Sequence, residues 1–505
     1  MANYNIFSNE NVKLRLINLE YDYKKKFASN NPKEIKEAKA EFEAEVRRIY
    51  KEETNQNLPK DIEIYTSKEL IKKNNQKDKS IKESGYDGTA IYIKDSENQI
   101  DQLHIISAGS ADNEDWSYNF FGLFLGIDNS QYRATREFTK EAKKRAGNSD
   151  ELHTYALGHS LANNNQLMVQ LIDGEFDEVY GVNGAQVSVN HLLQADKDLL
   201  DAMINKFNVL NTDELENVRK EDLKKAITQY YNDKGVTAKI TQRISKDDPL
   251  YGVSGKADFI TFGNVKMKDT NTDVKGIRSI IDKIPDEEVR SIQTFLRKYS
   301  DEYKKGGLNG FVMASTGIDA ELVGSIFSAD GNVAKGKIVK DRFGDIQVMV
   351  KNIGEKMPAF IKFFHTILNN SGTVVDQLEE NGYIDETQRK SIKKQLKIVN
   401  SKIGDIEIQY QQLKYALSTN NVVAIVYYVC ELIGSVNELK DALKTLDTET
   451  KDALKLIVDG HSIVQMLNAL SKEKGFSYKG SDIYFTGKSG SGETIQVNLS
   501  SAVRI

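Results

Sequence analysis

One serine stands where sequence texture changes from strand to helix. Leu152 to Leu157 reads as a short apolar strand, Gly158-His159-Ser160-Leu161-Ala162 follows, and Leu161 to Asp173 reads as a helix. A serine on such a turn is a nucleophile elbow, in which small flanking residues let the backbone bend sharply and present the hydroxyl. The helix start behind it offers free N–H groups, that of Leu161 among them, and a positive dipole end where an oxyanion would develop. Gly-x-Ser alone is a weak signal. Gly252-Val253-Ser254 and Gly487-Lys488-Ser489 repeat it, but only the copy at Ser160 has strand text before it and helix text after it. Ala162 stands where the Gly-x-Ser-x-Gly pattern has its last glycine, and a chance turn is the bland alternative.

Acyl transfer at Ser160 needs a second oxyanion donor from a separate loop. His104-Ile105-Ile106-Ser107-Ala108-Gly109-Ser110 is a strand ending in Gly-Ser, and a polar loop leads on to Asp115-Trp116. Ser110 offers both its backbone N–H and its hydroxyl. Read alone, this stretch is a surface loop anchored by the only tryptophan. Other motifs fail. Gly487-Lys488-Ser489 resembles the end of a phosphate-binding loop, but Asp482 stands where the first glycine must be. There is no His-Glu-x-x-His and no calcium-loop pattern, and the single cysteine, Cys430, excludes a disulfide framework and a cysteine-based zinc site. The expectation is neither metal nor cofactor.

The elements that must position these residues are legible in outline. Residues 10 to 57 carry apolar residues at helical spacing, broken at Pro32, and read as two helices forming a solvated amphipathic cover. Thr89 to Ile93 and Gln102 to Ser107 read as paired strands, and Gln131 to Ala146 as a charged helix. Glu178 to Val182, Val236 to Ile244 and Ala257 to Phe262 read as further strands. Strands alternating with helices predict a mostly parallel sheet covered on both faces. After about residue 275 strand text gives way to successive helices, with apolar residues at 392, 396, 399, 403, 406 and 410 close to a coiled-coil seam. The last 25 residues return to strand text around a Gly/Ser-rich stretch, a predicted hairpin.

Taken together, Ala108-Gly109-Ser110, Asp115-Trp116 and Gly158-His159-Ser160-Leu161-Ala162 resemble, in order and spacing, the class 3 lipases and their α/β-hydrolase relatives. The resemblance covers roughly residues 85 to 265, and Ala108 departs from the arginine of the family's oxyanion loop. It implies an α/β-hydrolase (lipase-like) fold and a catalytic Asp and His later in the chain. Ser245-Lys246-Asp247-Asp248-Pro249-Leu250 resembles the family's Asp loop, which points to Asp248, with Asp247 as the fallback. Six histidines are available. His104, His153 and His159 precede the serine, His191 follows it closely, and His365 sits in an apolar helix as a core or interface residue. His461 in Asp459-Gly460-His461-Ser462 precedes an amphipathic helix, as the family's histidine does. The resemblance therefore implies catalytic Ser160, Asp248 and His461, with Ser110 and Leu161 as the oxyanion hole.

Three regions follow: residues 1–275 with the N-terminal helices and the lipase-like domain, a large all-α region over 276–454, and a return segment, 455–505. The joining of such a domain to a long helical region looks like the lipase effectors of the Gram-positive type VII secretion route, which carry a helical LXG-like targeting region. That likeness implies secretion without a signal peptide, or else a cytoplasmic protein. It also implies small helical secretion partners, an immunity protein, and a lipid or phospholipid substrate at a membrane surface. Composition adds exclusions. A chain of 505 residues with net charge −5 lacks the basic surplus of a nucleic-acid binder. Its most apolar run, Val422 to Cys430, falls short of the about 20 residues a membrane span needs. The expected function is a serine ester hydrolase acting on lipid esters, a phospholipase A or lipase. The alternative is a helical partner-binding protein with a degenerate, non-catalytic hydrolase-like domain.

Overall fold

The computed structural model describes residues 5–74, 85–109, 129–215, 217–256, 258–327, 337, 341–471, 475–480, 482–488 and 494–503. The chain divides into two compact units, Met1–Arg278 with Ile457–Ile505, and Ser279–Leu456. The first unit is mixed α/β around one mostly parallel sheet, and the second is helical.

In the first unit the sheet runs β1-β2-β3-β4-β5-β7-β9. These strands are β1 (Asp61–Thr66), β2 (Thr89–Asp95), β3 (Ile100–Ser107), β4 (His153–His159), β5 (Glu178–Val182), β7 (Ile240–Ser245) and β9 (Asn264–Lys268). The β1–β2 and β2–β3 pairs are antiparallel, and every pair from β3 to β9 is parallel. Strand β6 (Val187–Ser188) pairs separately with β8 (Phe259–Ile260). The strand expected over 257–262 is therefore a two-residue bridge outside the main sheet. The edge is β9, whose short, exposed Asn-Val-Lys-Met-Lys text carries little apolar signal.

Alternation along the strands feeds two cores, because successive side chains leave opposite faces. Tyr92, Leu103, Ile105, Ala156 and Val179 join one cluster with α3 (Asn129–Arg145) and α4 (Leu161–Asp173). Ile91, Ile93, Ile106, Leu157 and Tyr180 join the other, with α1 (Glu10–Phe27) and α2 (Pro32–Thr54). Asn9 caps α1, and Pro32 occupies the first turn of α2 behind an Asn31 cap, which gives the predicted break its cause. The expected solvated cover is corrected for α1. Val12, Leu14, Leu16 and Ile17 are fully buried, and the interspersed charges are paired rather than solvated. Lys13 meets Glu178, Arg15 binds Glu53 at 2.8 Å and Glu52 at 2.5 Å, and Glu20 accepts from Thr89 at 3.0 Å.

The second unit is built on α5 (Phe343–Glu380), α6 (Glu386–Ser418) and α7 (Val422–Asp459). Ile353, Met357, Phe360, Ile403, Ile406, Leu432 and Val436 form its core. Of the predicted seam, Ile392, Val399, Ile403, Ile406 and Tyr410 are buried. Asp385 and Gln388 close a capping box at the start of α6. The His365 side chain is 43% exposed and 3.4 Å from Glu407, so of its two expected positions the core is excluded. Among the described residues α7 is long and apolar enough to cross a membrane by length and composition, which the nine-residue Val422–Cys430 run had not suggested. Beyond α7 the chain rejoins the first unit through α8 (Ile463–Ser471) and the three-stranded sheet β10 (Phe476–Lys479), β11 (Asp482–Lys488) and β12 (Thr494–Asn498).

Candidate active site

Parallel strands place their C-terminal ends along one edge of a sheet, where sites in open α/β sheets form. Here the registers Ser107–Gly158, His159–Val182 and Val182–Arg243 bring the ends of β3, β4, β5 and β7 level. Gly109, Ser160, Asn183 and Asp248 follow those four strands.

Ser160 has φ 58° and ψ −132°, a conformation L residues avoid. Its neighbours hold it there. Ser160 N–H donates to the Val182 carbonyl at 3.3 Å, and Ala185 N–H donates to the Ser160 carbonyl at 3.1 Å. The Ser160 hydroxyl makes no capping bond to α4, although it stands at the helix start. The turn is tight because its glycines are needed. A Cβ on Gly158 would meet Gln166 Oε1 at 2.4 Å, and one on Gly109 would meet the Ser160 Cβ at 2.8 Å. Ala162, where the pattern has glycine, is buried inside the first turn of α4.

His461 Nδ1 lies 2.8 Å from Asp248 Oδ1, joining residues 213 apart in sequence. A carboxylate only accepts, so Nδ1 donates to it, and in the neutral ring Nε2 then carries the lone pair. Asp248 is fully buried, Leu250 N–H also donates to its Oδ1 at 3.2 Å, and its Oδ2 has no partner among the described residues. Asp247 is engaged differently: Thr270 Oγ1 donates to its carboxylate at 3.3 Å, and a Cβ on Gly460 would meet its carbonyl at 2.4 Å. Glycine at 460 thus permits the close approach that carries His461 to this loop.

A second network holds His461 from behind. His159 Nε2 is 2.8 Å from the His461 carbonyl, and the two rings lie 4.5 Å apart. Asn183 Nδ2 donates to the same carbonyl at 3.0 Å, while its Oδ1 accepts Ser245 N–H at 2.8 Å. Tyr21 Oη sits 2.6 Å from His159 Nδ1 and accepts Gly109 N–H at 2.9 Å. Burial, then the neighbouring His461, holds His159 well below the usual imidazole range, so the ring is neutral. Burial also pushes the Tyr21 phenol well up.

The structure brings Asp248 and His461 together and sets Ser160 next to His159, whose ring packs on His461. Leu161 begins α4. Ser110, with Asp115 and Trp116, lies outside the described residues. Tyr21, His159 and Asn183 were missed as site residues. The Asn183-Gly184 pair after β5 was a readable turn signal, and Asn183 has φ 43°. Nothing local marks Tyr21. Among the described residues no cluster of three or more His, Cys, Asp or Glu could hold a metal ion.

An α/β unit with a strained serine at a strand-to-helix turn and a buried Asp–His pair thus defines the first unit. The chain belongs to the family described as Domain of unknown function (DUF6792), whose profile matches residues 11–269. It is similar to the uncharacterized protein YvcB of Bacillus subtilis (strain 168), with 64% identity over 507 residues, a match covering 100% of this chain and 80% of that protein. No solved structure matches it. The family match takes in Tyr21, Ser160 and Asp248 but ends before His461.

Proposed function

We propose that the first unit is an α/β-hydrolase of class 3 lipase type, a serine ester hydrolase acting on lipid esters as a phospholipase A or lipase. The observation that carries the reading is the buried Asp248–His461 hydrogen bond of 2.8 Å, made across 213 residues, with the His461 ring packed on His159, the residue before Ser160. The pair joins two segments far apart in the chain, Asp248 after β7 and His461 before α8. In this mechanism Ser160 attacks the acyl carbon, His461 Nε2 takes the hydroxyl proton and returns it to the leaving alcohol, and Asp248 orients the imidazole. Leu161 N–H and Ser110 hold the oxyanion, and water releases the acyl-enzyme. Gly109 N–H is already taken by Tyr21.

A fluorophosphonate probe with a fluorogenic ester series tests this. Wild type is expected to label at Ser160 and turn over esters. S160A should abolish labelling and lower turnover by roughly 10,000-fold or more. Unlabelled wild type would sink the reading. The lipid class rests on the resemblance, and profiling short soluble against long-chain esters checks it. Secretion as an antibacterial effector of the type VII route, with small helical partners and an immunity protein, belongs to the same proposal. Its support is the helical second unit and a relative from a Gram-positive bacterium.

A second reading, a helical partner-binding protein with a degenerate hydrolase-like domain, is favoured by the burial of Ser160, which is only 9% exposed. The family description and the relative's name also state no activity. The same probe separates the two readings.

A further inference from the structure

Resting on the Ser160–His461–Asp248 reading, we propose that Tyr21 is a positioning residue of that site: its hydroxyl ties the Gly109 backbone to the His159 ring, and His159 holds the carbonyl of His461. The directions of the bonds follow from chemistry. The His461 carbonyl can only accept, so His159 Nε2, at 2.8 Å, carries the hydrogen. A neutral ring protonated on Nε2 has its lone pair on Nδ1, so the Tyr21 hydroxyl, at 2.6 Å, donates there. The oxygen of that hydroxyl then accepts Gly109 N–H at 2.9 Å. The chain Gly109 to Tyr21 to His159 to His461 therefore runs in one direction only. Lys24, one turn along the same helix, reaches the Gly109 carbonyl at 3.5 Å, so α1 holds Gly109 by both its N–H and its carbonyl.

Two consequences bear on proton transfer. The bonds from His159 and Asn183 fix the peptide of His461, while Asp248 fixes its ring, so the imidazole is held at both ends. The His159 ring packs 4.5 Å from the His461 ring and carries its lone pair on Nδ1. Tyr21 occupies that lone pair. Removing the hydroxyl frees Nδ1 and releases Gly109, the residue before Ser110.

The test uses the full chain with ¹⁵N-labelled histidine. Wild-type His159 is expected as a single Nε2–H tautomer, and His461 is expected to show a protected Nδ1–H resonance that disappears in D248N. In Y21F, the His159 Nδ1 resonance should shift as it loses its hydrogen-bond donor, the His461 carbonyl still holding the hydrogen on Nε2, and the His461 resonance should shift or exchange faster. Fluorophosphonate labelling and kcat should fall about 10- to 100-fold with KM little changed, as expected when a reacting group is misplaced by roughly an ångström. H159L should behave like Y21F, while H159Q, which keeps a donor toward the His461 carbonyl, should recover most of the labelling rate. This pair carries the test if Y21F does not fold. Unchanged His159 and His461 signals in Y21F, or equal labelling by H159L and wild type, overturn the proposal while the hydrolase reading stands. A wild-type chain that never labels overturns the hydrolase reading itself, and with it any role of Tyr21 in turnover.

Discussion

At the scale of single residues, close approach and burial decide which side chains the site tolerates. Gly460 is pressed on the Asp247 carbonyl, so G460A must move either that loop or His461. A loss of about 1–3 kcal/mol is expected by urea unfolding, together with loss of the His461 Nδ1–H resonance. An unchanged midpoint and an intact resonance would refute the packing argument. Glu20, next to Tyr21, is fully buried, and burial raises its carboxyl to about 8 from an ordinary 4.5. Between those values the folded chain holds a proton that the unfolded chain has released. Stability contributed here therefore falls as pH rises through that window and levels off above it. His104 acts oppositely. Burial lowers its imidazole to about 3 from 6.5, so stability falls as pH drops below 6.5. E20Q, an uncharged mimic of the protonated acid, should flatten the decline of Tm between pH 5 and 8 and leave the acid side unchanged. Identical Tm profiles for E20Q and wild type would contradict the assignment.

Elements were legible where local texture and tertiary role agree. The strand, turn and helix around Ser160 are such a case: the helix from Leu161 to Asp173 and the strand from Glu178 to Val182 have the bounds their periodicity predicts. Two elements were hidden for physical reasons. Strand β1 lies among charged residues and gains its place only by pairing with β2. Helix α1 has the charge pattern of a surface helix because its Lys13, Arg15 and Glu20 are paired inside, and no local signal distinguishes a paired charge from a solvated one. The Asp248–His461 contact came from the resemblance and the histidine inventory, since spacing along a chain carries no contact over 213 residues. The burial of α1 is itself testable. L16A should cost about 2–5 kcal/mol in urea unfolding, as for a core leucine, where a residue on a solvated cover would cost less than about 0.5.

At the scale of the molecule, the first unit is discontinuous. Ile463, Met466, Leu467, Tyr478 and Ile483 from the last segment share a core with α1, α2 and one face of the sheet. A chain stopped at residue 456 would leave that apolar surface open and lack His461. Residues 1–278 alone are expected to aggregate, and co-expression with residues 457–505 should raise their solubility and protease resistance. Equal behaviour with and without the second piece would show that the cluster is dispensable. The same discontinuity has a consequence in time. The ribosome delivers the serine 301 residues before the histidine (461 − 160), an interval of roughly 15–60 s at ordinary bacterial elongation rates. Throughout that interval the nascent polypeptide carries Ser160 without the histidine proposed as its base, so on the hydrolase reading turnover would have to wait for residue 461 to emerge.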